Sequence, residues 1–193
     1  MSAPAPRPLV KLTAPTALGL CKGLEVPDGL RALVESDAPA AVLFARLDDP
    51  DLRPFALDLL ARALPKREAV WWACLAARLV PAAGPAAKAL EAAEAWVFRP
   101  NESERRACFP PAEADAFTHP ASWAAMGAYW SGGSITPPEL QAVPPAAHLT
   151  GVAVAAAAKL AIAGLPAAQR AGGMKRLVEQ GLDIAAGGNG RVA

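Results

Sequence analysis

The sequence predicts an all-α fold, about eight helices in stacked antiparallel hairpins forming a compact bundle or a short helical array. Three observations carry that expectation. Alanine supplies 48 of the 193 residues, and it loses no side-chain entropy on entering a helix. The residues that favour sheets are sparse by comparison, with one Tyr and five Phe. Finally, many of the 20 prolines sit where a helix can begin, as in Asp49-Pro50, Leu64-Pro65, Gly84-Pro85, His119-Pro120 and Leu165-Pro166. Such pairs recur without a convincing fixed repeat, which points to packed helix pairs rather than a sequence-repeat solenoid.

Residues 1–13, opening MSAPAPRP, read as a flexible tail, and 14–186 as one helical domain. Thr16 to Gly23 and the Leu30, Leu33, Val34 group predict two short helices. Leu43 and Leu47 beside Val42 give the next an inner face. Asp49 is a good N-cap for a helix with Leu52, Phe55, Leu59 and Ala63 on one stripe. Residues 65–80, PKREAVWWACLAARLV, become apolar nearly all round, which predicts a central helix. A helix from Gly84-Pro85 to before Pro100 follows, then one capped by Asn101 or Ser103 that Pro110-Pro111 must interrupt. Pro120 opens a helix carrying Trp123, Met126 and Trp130 that stops at Ser131-Gly132-Gly133-Ser134. After a proline-rich loop come helices from about Pro145 to Ala163 and Pro166 to Ala186, the latter weakened at Gly172-Gly173. Residues 187–193 read as a second tail.

Composition narrows function. A formal net charge of +1 offers no electrostatic footprint for nucleic acid or an anionic membrane. The apolar stretch Gly151 to Gly164 is short of a membrane span and carries Lys159. Cys21, Cys74 and Cys108 are odd in number and isolated, so no disulfide framework or metal knuckle is expected, and the poor N-terminal signal fits a cytoplasmic location.

No catalytic constellation emerges, and neither a cofactor nor a metal is expected. His119 and His148 lack a helical ligand pattern and read as capping or surface residues. Cys74 lies in an apolar run where burial silences a thiol. Residues 130–134, WSGGS, follow a helix and lack the ending of a phosphate loop. Asp48, Asp49 and Asp51 lack the glycine and distal glutamate of a calcium loop. Glu102 and Glu104 beside Arg105-Arg106 suggest a solvated helix face.

The unusual feature is five tryptophans for one tyrosine, all in the middle of the chain. Filling volume that alanine leaves empty is their plainer role. Adjacent Trp71 and Trp72 differ by about 100° around a helix axis and cannot share one narrow buried stripe, which leaves one for a concave surface. The candidate partner-binding residues are therefore Trp71, Trp72, Trp96, Trp123, Trp130, Ser131 and Gly132.

At REAVWWACLAAR (67–78), AEAWVFRPNESERRACF (93–109) and WAAMGAYWSGGSITPPELQAVPPAAHLT (123–150) the chain resembles an uncharacterised bacterial family of alanine-rich helical proteins. The likeness runs from about Thr16 to Ala186, although Pro110-Pro111 departs from the family's more continuous helix. Some members lie near type VI secretion loci. The resemblance implies a non-enzymatic interaction module, an accessory adaptor or chaperone whose partner is a secreted effector or spike component. Two alternatives stand beside it: a small-ligand-binding or enzymatic domain with a Trp-lined pocket, using Cys108 or His148, and a self-associating homodimer.

Overall fold

Proline sets the helix starts. In the computed structural model, which describes residues 8–192, the α-helices are α1 (Ala17–Cys21), α2 (Asp28–Glu35), α3 (Ala40–Ala45), α4 (Arg53–Ala63), α5 (Lys66–Ala77), α6 (Gly84–Phe98), α7 (Glu102–Ala107), α8 (Phe109–Ala114), α9 (Pro120–Tyr129), α10 (Leu149–Gly164) and α11 (Ala167–Ala185). Pro27, Pro39, Pro65 and Pro166 occupy N-cap positions, and α4, α6, α8 and α9 carry proline in the first turn. A first-turn proline gives up no helical hydrogen bond, because the amide it lacks has no partner there. The same logic places the break at Pro110-Pro111. Helix α7 ends at Ala107, Cys108 caps both its end and the start of α8, and both rings fall in the first turn of α8.

Among the described residues eleven α-helices and one 3-10 turn, Pro50–Leu52, form where about eight helices were expected, and five of them, α1, α2, α3, α7 and α8, are only five to eight residues long. Asp49 caps that 3-10 turn, its carboxylate accepting from Asp51 N at 3.0 Å, rather than capping α4 directly. No named strand forms among the described residues; a single antiparallel bridge joins Thr16 and Pro39.

Helix α5 has the central position that its apolar surface predicts, packing against α4, α6, α9, α10 and α11. Helix α10 lies against α4, α5, α9 and α11. These partners are distant in sequence, so of the two arrangements expected the compact bundle is the one formed. Small residues set the close approaches. A Cβ on Gly127 would lie 3.2 Å from Val154 and 3.3 Å from Val70, at the meeting of α9, α10 and α5. Gly172-Gly173 does not interrupt α11, and a Cβ at Gly173 would strike Leu165 at 2.5 Å.

The segments expected as tails lie along the bundle where they are described. Lys11 N donates to Ala185 O and Thr13 N to Ala63 O, both at 2.8 Å, while Leu9 and Leu12 pack on the core. At the other end Gly190 N donates to an Asp183 carboxylate oxygen at 3.0 Å, and Gly190 is buried. No helix among the described residues is long and apolar enough to cross a membrane.

Candidate functional site

A hollow of about 740 Å³ lies between α8, α9 and the loop after α9. Phe109, Phe117, Trp123, Met126, Tyr129 and Trp130 line it, with Ile135, Pro137 and Pro138 as the loop's wall. Spacing on α9 explains half of it: Trp123, Met126 and Trp130 stand three and four residues apart and so share a helix face. The rings form a chain of tilted contacts. Phe109 lies 5.1 Å from Tyr129 and 6.5 Å from Phe117, Phe117 lies 6.2 Å from Trp123, and Trp123 lies 6.5 Å from Trp130 in edge geometry. These separations fall in the range where aromatic pairs attract.

Phe117 reaches that position at a backbone cost. Ala116 and Phe117 have φ of 52° and 58°, a left-handed conformation rare for residues with side chains. Local bonds over-determine it: Ala116 N donates to Glu113 O, Phe117 N to Ala112 O, and the Phe117 carbonyl accepts the Trp123 indole N–H at 2.9 Å. Asp115 braces the turn that follows, one carboxylate oxygen accepting from Ser122 Oγ at 2.7 Å, His119 N at 2.8 Å and Thr118 N at 3.1 Å. Burial pushes this carboxyl up, yet those donors outweigh it and hold it below the usual range.

The loop wall is held by a charged cluster. Contrary to the solvated face expected for Arg105-Arg106, Arg105 is only 3% exposed. Its guanidinium donates to both Glu102 oxygens at 2.7 and 2.8 Å, to Ser134 O at 2.9 Å and to the Tyr129 carbonyl, and it stands 5.0 Å from the Tyr129 ring centroid. Arg106 donates to Glu102 at 2.7 Å and to Thr136 O at 3.1 Å. The Tyr129 hydroxyl donates to Ile135 O at 2.8 Å, and Ser134 Oγ accepts from Thr136 N and Val143 N. Glu102 thus anchors two arginines that grip one loop.

That loading fixes the charge of Glu102. Hydrogen bonding from Arg105, then its charge, then Arg106, outweigh desolvation and bring the carboxyl to about 2 from 4.5. A folded-state pKa below the unfolded one gives stability that is complete above about pH 4.5 and is lost as pH falls toward 2. Acid titration of unfolding stability should therefore decline through this window more steeply for wild type than for Glu102→Gln, as followed by helical circular dichroism.

Two adjacent glycines differ sharply in this loop. Gly133 has φ 62°, and a Cβ there would lie 2.9 Å from Arg105 and 2.8 Å from Glu102, whereas nothing lies within 4 Å of one on Gly132. Gly133→Ala is expected to cost roughly 1–3 kcal/mol, from left-handed strain plus displacement of the arginine. Gly132→Ala should stay within about 0.5 kcal/mol. Urea denaturation of the pair checks the contrast.

The seven residues proposed from sequence do not gather in one place. Trp123 and Trp130 line the groove. Trp72 is fully buried in the core and Trp96 is 6% exposed, so neither offers a binding face. Trp71 is partly buried in a separate hollow with Phe98 and Asn189, donating its indole N–H to Asn189 O at 2.8 Å. Ser131 and Gly132 are half-buried just past α9, and the Ser131 carbonyl accepts from Lys66 Nζ at 2.7 Å. Phe109, Phe117 and Tyr129 were absent from the sequence set; their signal was only their proximity to Trp123 and to the Pro110-Pro111 break.

His119 caps α9, its Nδ1 accepting from Ala121 N at 3.0 Å, and His148 is exposed at the start of α10. Cys108 is buried, its thiol pointed at Glu104 O at 3.3 Å, and burial first and Glu104 second push it up to about 12. Burial also raises Cys74 well above the ordinary thiol value. Thiols this reluctant to ionise make poor nucleophiles. Among the described residues no group of three or more His, Cys, Asp or Glu is placed to hold a metal ion.

Fold and site together define an all-α bundle with one open, aromatic-walled groove beside a buried arginine clamp. The chain belongs to DUF6931, a family of unknown function, whose model matches residues 43–185 and so takes in α4 to α11 and the whole groove. No match was found among curated proteins, and none among solved structures.

Proposed function

We propose that the protein is a non-enzymatic interaction module that takes an apolar segment of another protein into the groove between Phe109 and Trp130. The observation that carries this reading is a hollow of about 740 Å³ lined almost entirely by aromatic and other apolar side chains. Trp123 and Tyr129 donate to Phe117 O and Ile135 O, so their rings offer an occupant apolar faces. Rigid aromatic walls of this kind favour binding, since little side-chain freedom remains to be lost. The only formally charged side chain on the lining is Arg106, already engaged by Glu102. The resemblance to a family with members near type VI secretion loci supports, as its biological setting, an accessory adaptor or chaperone for a secreted effector or spike component.

Affinity purification from the native host tests this in three forms: wild type, Trp130→Ala in the groove, and Phe98→Ala outside it. The expected result is one protein retained by wild type and Phe98→Ala and depleted roughly tenfold by Trp130→Ala, as for loss of a central aromatic anchor. Equal recovery by all three overturns the proposal. The volume also falls in the range of small-molecule sites, about 300–1,000 Å³. Native mass spectrometry showing a retained small molecule that Trp130→Ala releases would favour that second reading.

A further inference from the structure

The hydrogen bonds of the aromatic groove leave donors over. Trp71, Trp72 and Trp123 give their indole N–H groups to the carbonyls of Asn189, Leu177 and Phe117. Trp130 lines the groove and is half-buried, yet its indole N–H meets no acceptor among the described residues. Its nitrogen is not sealed from solvent, as the unpartnered atoms of His119, Thr150 and Gln180 are. Arg106, on the same lining, gives one N–H to Glu102 and one to the Thr136 carbonyl and has others free. No carboxylate or carboxamide side chain lines the groove among the described residues, so its polar edge carries positive sign.

The slope of the rings limits what can lie against that edge. Neighbouring rings are tilted by 50° for Phe109 and Phe117, 53° for Phe117 and Trp123, and 61° for Trp123 and Trp130. Rings tilted in this way leave wedge-shaped slots and no single flat floor. The steps between their centroids are 6.5, 6.2 and 6.5 Å. Two residues of a polyproline II segment advance about 6.2 Å. Such a segment has no internal hydrogen bonds, so its carbonyls face outward, and its prolines have no N–H for the groove to receive. Its row of carbonyl oxygens complements in charge an edge that offers donors. An α-helix commits its carbonyls to its own amides and would leave the Trp130 N–H unpaired.

Resting on the reading of the groove as a protein-binding site, we propose that its occupant is a proline-rich segment in the polyproline II conformation. Proline rings enter the slots between Phe117, Trp123 and Trp130, and one carbonyl of the segment accepts from Trp130 Nε1. Such a segment is extended and stiff before it binds, so little freedom is lost on docking.

Amide and indole NMR of the full chain tests this, with titration by a capped octaproline peptide and, separately, by a capped amphipathic helical peptide built from Leu, Ala, Glu and Lys. Octaproline is expected to move the Trp130 indole resonance saturably and to leave that of buried Trp72 in place, while the helical peptide moves neither. Trp130→Phe keeps a ring and removes the donor, and should weaken octaproline roughly three- to tenfold. Phe98→Ala, at an 80% exposed position outside the groove, should leave its affinity unchanged. Both variants are expected to fold, and helical circular dichroism matching wild type checks that. Movement of Trp130 by the helical peptide and not by octaproline overturns this inference while leaving the groove a protein-binding site. Absence of saturable shifts up to about 5 mM octaproline, or an affinity that Trp130→Phe leaves unchanged, also overturns it. The affinity purification described above decides separately whether the groove holds a protein at all.

Discussion

Replacing Trp72 with alanine is expected to remove about 3–5 kcal/mol of stability, enough to leave a domain of ordinary stability largely unfolded under mild denaturant. Trp72 is 0% exposed, on a helix that packs against five others, and its indole N–H donates to Leu177 O of α11 at 2.9 Å. Helix α11 is fitted to that ring: a Cβ on Gly181 would lie 3.3 Å from the indole nitrogen and 2.7 Å from Leu60. Alanine would leave a void between α5 and α11 that backbones already in close contact cannot collapse to fill. Trp72→Phe should cost less, about 1–3 kcal/mol, because it keeps much of the volume and loses the bond. Urea unfolding checks both, and a cost below about 1 kcal/mol for Trp72→Ala would refute this account of the α5–α11 contact.

The contrast between Trp72 and Trp71 also marks how far the sequence could be read. Their 100° separation implies that only one can enter a narrow core stripe, and Trp72 does so while Trp71 faces a hollow. Sequence could not say that Asn189, 118 residues away, would return to accept the Trp71 indole N–H. Fold class was legible because alanine content and proline spacing act locally, through propensity and cap geometry. The groove was legible only on α9, where Trp123 and Trp130 share a face. Its opposite side comes from Phe109, on a six-residue helix too short to show a period, and from Phe117, in a left-handed conformation that no glycine announces. Gly132 and Gly133 look alike in sequence, and only the left-handed backbone of Gly133 and the Glu102–Arg105 pair packed against it distinguish them. Arg105 itself was misread because a glutamate three residues upstream is the ordinary signature of an exposed helical pair. Here the same spacing holds a guanidinium that turns inward.

Arg105→Met is accordingly expected to cost about 3 kcal/mol, the lower end of the range for breaking a buried pair. Glu102 is half-exposed and water can solvate it once its partner is gone, which limits the loss. The Tyr129 and Ser134 carbonyls fare worse, since each loses a donated hydrogen bond where α9 meets the loop. Lysine should not rescue the variant, because one ammonium cannot reproduce the planar fork that spans Glu102 and two carbonyls. Arg106→Ala, removing a partly exposed neighbour on the same glutamate, should cost no more than about 1 kcal/mol. Stability is only half of the expected result. Arg105 holds the segment that brings Ile135, Pro137 and Pro138 to the groove, so Arg105→Met should speed amide hydrogen exchange at Ile135 and Val143 while leaving exchange in the first turns of α11 unchanged. Uniform acceleration across all helices would mean that the arginine supports the bundle as a whole, and not the loop in particular.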